Sequence, residues 1–213
     1  MAQSFTWSSP DTVKGAAAIA ALQLWVVLAT QADEGGREDE KPTLEAGLTY
    51  DSLMFAAGLS RKLVAAGLAG LQDAGLLDVE KEGRSCRYHL QGFEKGHWCK
   101  LPARALYAPD KRVTAFQVFQ KRSVCELHAM KLFLYYAAGR DNHTPYTMAT
   151  FEKIHEHTGV PEKHIPRANA FLLNARLLAN ISRDGTGKTK WKEPNKYFLT
   201  GYGDMFVGVP VVT

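Results

Sequence analysis

Apolar residues fall along this chain in blocks whose periods call for different elements. From Gly15 to Thr30 nearly every position is apolar, which suits a helix buried on all sides. The run is shorter than the roughly 20 residues a bilayer core demands. It carries Gln23 in its middle, and the stretch before it holds one Lys against one Asp, so a core helix is expected and not a span or a leader. The Gly- and Glu-rich stretch from Asp33 to Ala46 follows, and its repelling like charges predict a mobile loop. Thr49 is placed to cap a helix with apolar Leu53, Met54 and Ala57, and Gly58 supplies the positive φ of a sharp turn. Ser60 caps the next helix, on which Leu63, Gly67, Gly70, Leu71 and Ala74 share one face. Its outward positions are then Arg61, Lys62, Val64, Ala65, Leu68 and Gln72. After Gly75, Leu77 and Val79 alternate with Asp78 and Glu80, Gly83 turns, and Cys86, Tyr88 and Leu90 alternate with Arg87 and His89. That pattern is a two-stranded hairpin with one buried face.

The same blocks recur downstream. Leu22-x-Leu24-Trp25-Val26 lines up with Met130-x-Leu132-Phe133-Leu134 at an offset of 108. Tyr50-x-x-Leu53-x-x-x-x-Gly58-Leu59 lines up with Phe151-x-x-Ile154-x-x-x-x-Gly159-Val160 at 101. Tyr88-His89-Leu90-Gln91-Gly92-Phe93 lines up with Tyr197-Phe198-Leu199-Thr200-Gly201-Tyr202 at 109. Three blocks in one order, with offsets that change only inside polar stretches, are the signature of a duplicated unit with loop insertions. The expected organisation is a first module over 1–93, a packed connector over 94–123 and a second module over 124–213. Trp98, Leu101, Leu106, Tyr107, Val113, Phe116, Val118 and Phe119 make the connector too apolar for a floppy linker.

Helix, helix, glycine turn, helix, hairpin is the order of a winged helix-turn-helix module, and the chain resembles that family over residues 49–90 and again over 150–200. The turn glycine, the exit Gly75-Leu76-Leu77 and the hairpin ending Tyr-x-Leu carry the resemblance. It implies an α+β, mostly helical fold of two winged-helix modules in tandem. It also implies double-stranded DNA as partner, with the third helix of each module in the major groove and the hairpin tip on the backbone or minor groove. In the second module Pro166 would break a helix interior, so that helix is expected to begin at about Ile165 and not at Glu162.

Charge is distributed in a way that fits such a partner. Between Asp33 and Glu45 six acids face two bases, so a chain of net +4 is close to +8 elsewhere. Candidate base readers in the second module are Lys163, His164, Arg167 and Asn169, since Arg and Asn can pair bidentately with guanine and adenine edges. Arg183, Lys188, Lys190 and Lys192 on its hairpin suit phosphates. The first module offers Ser60, Arg61, Lys62 and Gln72 on its helix, and Arg84 and Arg87 on its hairpin. The apolar middle Val64, Ala65 and Leu68 suits thymine methyls or a homodimer contact, which would present two basic hairpins to a palindromic site.

Cys86, Cys99 and Cys125 are an odd, scattered set, suited to a reducing cytoplasm. Cys86 and His89 point to opposite faces of a strand, and His155 and His157 do not share a helix face. No metal site, cofactor or catalytic constellation is therefore expected. The expected function is sequence-specific duplex-DNA binding, as a transcription regulator of a plasmid, phage or integrative element. The alternatives are a plasmid-type replication initiator and, in another class, a tandem winged-helix structural partner that grips protein and not DNA.

Overall fold

The computed structural model describes residues 15–35, 43–83, 85–92, 99–140, 144–183 and 194–203. Its first half runs α1 (Gly15–Gln31), β1 (Asp33–Gly35), β2 (Thr43–Leu48), α2 (Tyr50–Ala57), α3 (Arg61–Asp73), β3 (Leu77–Glu82) and β4 (Ser85–Leu90). A connector with α4 (Ala103–Leu106) and a 3-10 turn at Thr114–Val118 follows. The second half runs α5 (Val124–Ala138), β5 (Thr147–Ala149), α6 (Phe151–Thr158), a 3-10 turn at Glu162–His164, α7 (Ile165–Asn174), β6 (Leu178–Ser182) and β7 (Asn195–Leu199). The fold is α+β, with about half of the described residues helical and two small antiparallel sheets.

The two halves match in element order apart from β1 and the 3-10 turn at Glu162–His164. Strand order is β1-β2-β4-β3 in the first sheet and β5-β7-β6 in the second, so the second lacks only a counterpart of β1 among the described residues. Register matches too. Leu77 faces Leu90 as Leu178 faces Leu199, and Ala46 faces Tyr88 as Thr147 faces Tyr197. Local chemistry explains the helix boundaries. Thr49 Oγ1 accepts the Ser52 N–H at 3.1 Å, and Thr150 Oγ1 accepts the Lys153 N–H at 3.3 Å. Gly58 at φ 62° and Gly159 at φ 67° end the capped helices in the left-handed region, where a side chain would be strained. Helix α7 does begin at Ile165, with Pro166 in its first turn, where a missing N–H costs nothing.

Three expectations need correction. The stretch Asp33 to Ala46 is not one loop: its ends form β1 and β2, and β2 completes the sheet by pairing along β4. Leu44, Ala46 and Leu48 alternate there as a half-buried strand should, inside a charge pattern that masks them. The buried residues of α3 are Val64, Gly67, Leu68, Gly70 and Leu71: Gly67, Gly70 and Leu71 lie inward as expected, Val64 and Leu68 join them, Leu63 is half-buried and Ala74 is exposed. Val64 and Leu68 are therefore core residues, and an apolar dimer patch built on them does not exist. In the connector, Leu106, Val113, Phe116 and Phe119 are buried but Val118 is exposed, and Trp98 lies outside the described residues.

One hydrophobic core joins both halves. At its centre is α1, buried without interruption from Ile19 to Leu28, with α3 on one side and α5 on another. The α1–α3 approach is close because Gly67 has no side chain: a Cβ there would lie 2.9 Å from the Ala21 backbone nitrogen. The connector bridges the halves. Val113 donates its N–H to the Ala56 carbonyl at 2.9 Å, Lys121 Nζ donates to the Gly58 carbonyl at 3.1 Å, and Phe119 packs edge-on against Phe171 of α7 at 4.8 Å. Its end is held by Glu126, whose buried carboxylate accepts the backbone N–H groups of Gln120, Lys121, Arg122 and Ser123. Burial opposes ionisation of that carboxyl. The N–H groups of Ser123, Arg122, Gln120 and Lys121 outweigh it and hold the group below its ordinary range.

Candidate nucleic-acid interface

In the second half, the 3-10 turn and the first turns of α7 put Lys163 and Arg167 on the surface. The Arg167 guanidinium lies near the Cys125 thiol at the start of α5 and opposes the upward push of burial on that thiol. His164 is half-buried, its ring 5.3 Å from that of His128 on α5. Burial depresses the His128 pKa, and His164 and Lys131 depress it further, which favours a neutral ring. Lys131, itself pushed down by burial, donates to the Thr158 carbonyl at the end of α6 at 3.2 Å.

Asn169 does not belong with these surface groups. It is 4% exposed and accepts the Tyr136 hydroxyl proton at 2.9 Å, so it cannot reach a base edge. Its amide is part of a buried cluster. Tyr136 and Tyr197 stack at 4.1 Å, and Asn195 Nδ2 donates to the Tyr197 hydroxyl at 3.1 Å. Burial pushes the hydroxyl pKa of both tyrosines up, so both stay protonated. The cluster ends at the surface, where exposed Arg183 donates Nε–H to Asn195 Oδ1 at 2.8 Å. Lys188, Lys190 and Lys192 lie outside the described residues.

Sequence reasoning had no place for Tyr136 or Asn195, although a signal existed. At the repeat offsets, Tyr136, Asn169 and Asn195 stand where the first half has Leu28, Leu68 and Cys86. Three apolar-to-polar exchanges at core positions mark a network that only one half possesses.

The first half presents a different surface. Ser60 Oγ is engaged in capping, accepting the Leu63 N–H at 3.3 Å. Arg61 lies 5.3 Å over the Tyr50 ring and 3.8 Å from Asp51, while Lys62 and Gln72 are exposed. Arg87 is committed to Glu82 at 2.8 Å and to Glu45 at 3.5 Å, and the bond to Glu82 raises its pKa. His89 sits between Glu45 at 3.3 Å and Glu80 at 3.6 Å. With Asp78 also outward, the solvent face of this sheet is acidic and repels phosphate. Arg84 lies outside the described residues.

Among the described residues no three His, Cys, Asp or Glu side chains gather as metal ligands. Cys86 faces the core while His89 faces solvent, His155 Nδ1 meets the Val160 carbonyl at 3.0 Å, and His157 stacks on Tyr135. None of those described residues forms a helix that is long and apolar enough to cross a membrane by itself. No protein-family model, characterised protein or solved structure is detectably similar to this chain.

Proposed function

We propose that this protein is a tandem winged helix-turn-helix protein that binds double-stranded DNA in a sequence-specific manner and regulates transcription, with the second half as the principal reader. The observation that carries the reading is the repeated arrangement itself. Each half has a capped helix, a left-handed glycine turn, a second helix and a hairpin in matching register, and in the second half the 3-10 turn and the helix after it expose Lys163 and Arg167. Arg183 supplies a cation for phosphates, and the sequence between Leu178 and Tyr197 adds Lys188, Lys190 and Lys192. The first half contributes Arg61, Lys62 and Gln72 from α3, while its acidic sheet face stays off the backbone.

Selection of bound fragments from random and genomic DNA tests the reading. A motif enriched beside promoters is the expected result; an array of repeats at a replication origin would assign the protein to initiation instead, and no enrichment overturns DNA recognition. On the selected site, Arg167→Ala should cost about 1 to 3 kcal/mol and relax preference at one base position. Lys190→Ala should weaken all sequences alike and lower the salt slope by about one unit. Titrations at several salt concentrations separate the two kinds of contact.

A further inference from the structure

We infer that the buried cluster Asn169, Tyr136, Tyr197 and Asn195 positions Arg183 at the mouth of the second hairpin as a phosphate-binding side chain, tying hairpin and α7 into one unit. The inference rests on the DNA reading for its ligand, a phosphodiester backbone, but its geometry stands apart from it. Asn169 on α7 accepts the Tyr136 hydroxyl proton, the Tyr136 ring stacks on that of Tyr197 at 4.1 Å, and the Asn195 amide on β7 joins the Tyr197 hydroxyl to the Arg183 Nε–H. Tyr136 and Tyr197 are fully buried, Asn169 is 4% exposed and Asn195 8%. In a low-dielectric interior these groups hold their orientations because every alternative leaves a polar atom unpaired. The Asn195 amide shows the effect most clearly. Its Nδ2 is spent on Tyr197, so its Oδ1 must face outward, and it is this oxygen that fixes the guanidinium by its Nε–H. An arginine has five N–H donors, and with respect to the described residues the four on its terminal nitrogens remain for an anion. Holding such a side chain in one rotamer before contact lowers the entropy lost on binding.

The first half shows what the same framework does without the relay. Leu28, Leu68 and Cys86 occupy the matching places, and the hydroxyl of Tyr88, the counterpart of Tyr197, is buried beside the Cys86 thiol without a hydrogen bond of ordinary geometry. Both arrangements pack, so the polar set is not needed merely to fill the core. Its distinguishing contact is the outward one to Arg183.

Asn169→Leu installs the first half's own residue, and Tyr197→Phe removes one hydroxyl, so at least one variant should retain the fold by circular dichroism. In the free protein, the Arg183 Nε–H should give a resolved, slowly exchanging NMR resonance that becomes fast-exchanging in either folded variant. On DNA, Arg183→Ala should lower the salt slope by about one unit, and Asn169→Leu should lower it by a similar amount. The double variant should bind no more weakly than Arg183→Ala alone, because both act through one side chain. An Arg183 resonance unaltered by both variants, or losses from Asn169→Leu and Arg183→Ala that add in full, overturns the positioning role. A wild-type protein that shows the protected resonance and binds no DNA removes the DNA reading and leaves the relay in place.

Discussion

Glu126→Ala should destabilise the protein by about 3 to 5 kcal/mol, because it strands four backbone N–H groups at the junction of connector and α5. Glu126 is 3% exposed, so water cannot simply take the place of its carboxylate. Urea unfolding measures the loss. The same group predicts an acid limb in stability. Its folded pKa is depressed, so its contribution is fully present above the unfolded value of about 4.3 and is lost as pH falls through the folded pKa. Glu126→Gln keeps the shape and one acceptor oxygen but removes the charge. The stability gap between wild type and Glu126→Gln should therefore narrow as pH falls from 7 toward 3, taking those two values as roughly the ends of the useful window. A gap of constant size across that window would show that the charge contributes nothing and that packing alone matters.

Gly67→Val should cost about 3 kcal/mol, at the upper end of what overpacking a core does. The added Cβ alone would stand 2.9 Å from the Ala21 nitrogen, 3.1 Å from the Ala20 carbonyl carbon and 2.8 Å from a Leu24 methyl. Two of those three are backbone atoms of α1 and cannot rotate away. The gain in helix propensity over glycine is only about 0.5 kcal/mol, too small to compensate. Gly47→Ala is the control, since its Cβ would meet nothing within 4 Å. Equal melting temperatures for Gly67→Val and Gly47→Ala would refute the close α1–α3 approach.

Local chemistry in the sequence carried much of the fold. Thr49 and Ser60 as caps, Gly58 and Gly159 as left-handed turns, Pro166 as a helix start and the alternation around Tyr88 are all properties of a few neighbouring residues. What escaped depends on distant partners. Strand β2 lies beside a run of acids and declares itself only through pairing with β4, about forty residues later in the chain. The full width of the buried face of α3 was obscured because Gly67, Ala65 and Ala66 are too small to mark a face, and packing against α1 drew Val64 and Leu68 inward beside Gly67, Gly70 and Leu71. Asn169 suffered the reverse fate. A polar residue on a helix suggests an outward position, and the Tyr136 hydroxyl that satisfies it sits on another helix. Lys163 and Arg167 are exposed, as charged side chains ordinarily are.

The uninterrupted burial of α1 has an evolutionary consequence. A helix wrapped by α3 on one side and α5 on another belongs to neither half alone. Deleting the second half would lay bare an apolar surface that the first half has no means to cover, and recombination could not exchange one half for a foreign module without rebuilding that contact. A substitution along α1 is therefore felt by both halves at once, while the two outer surfaces, one acidic and one basic, can change independently of each other.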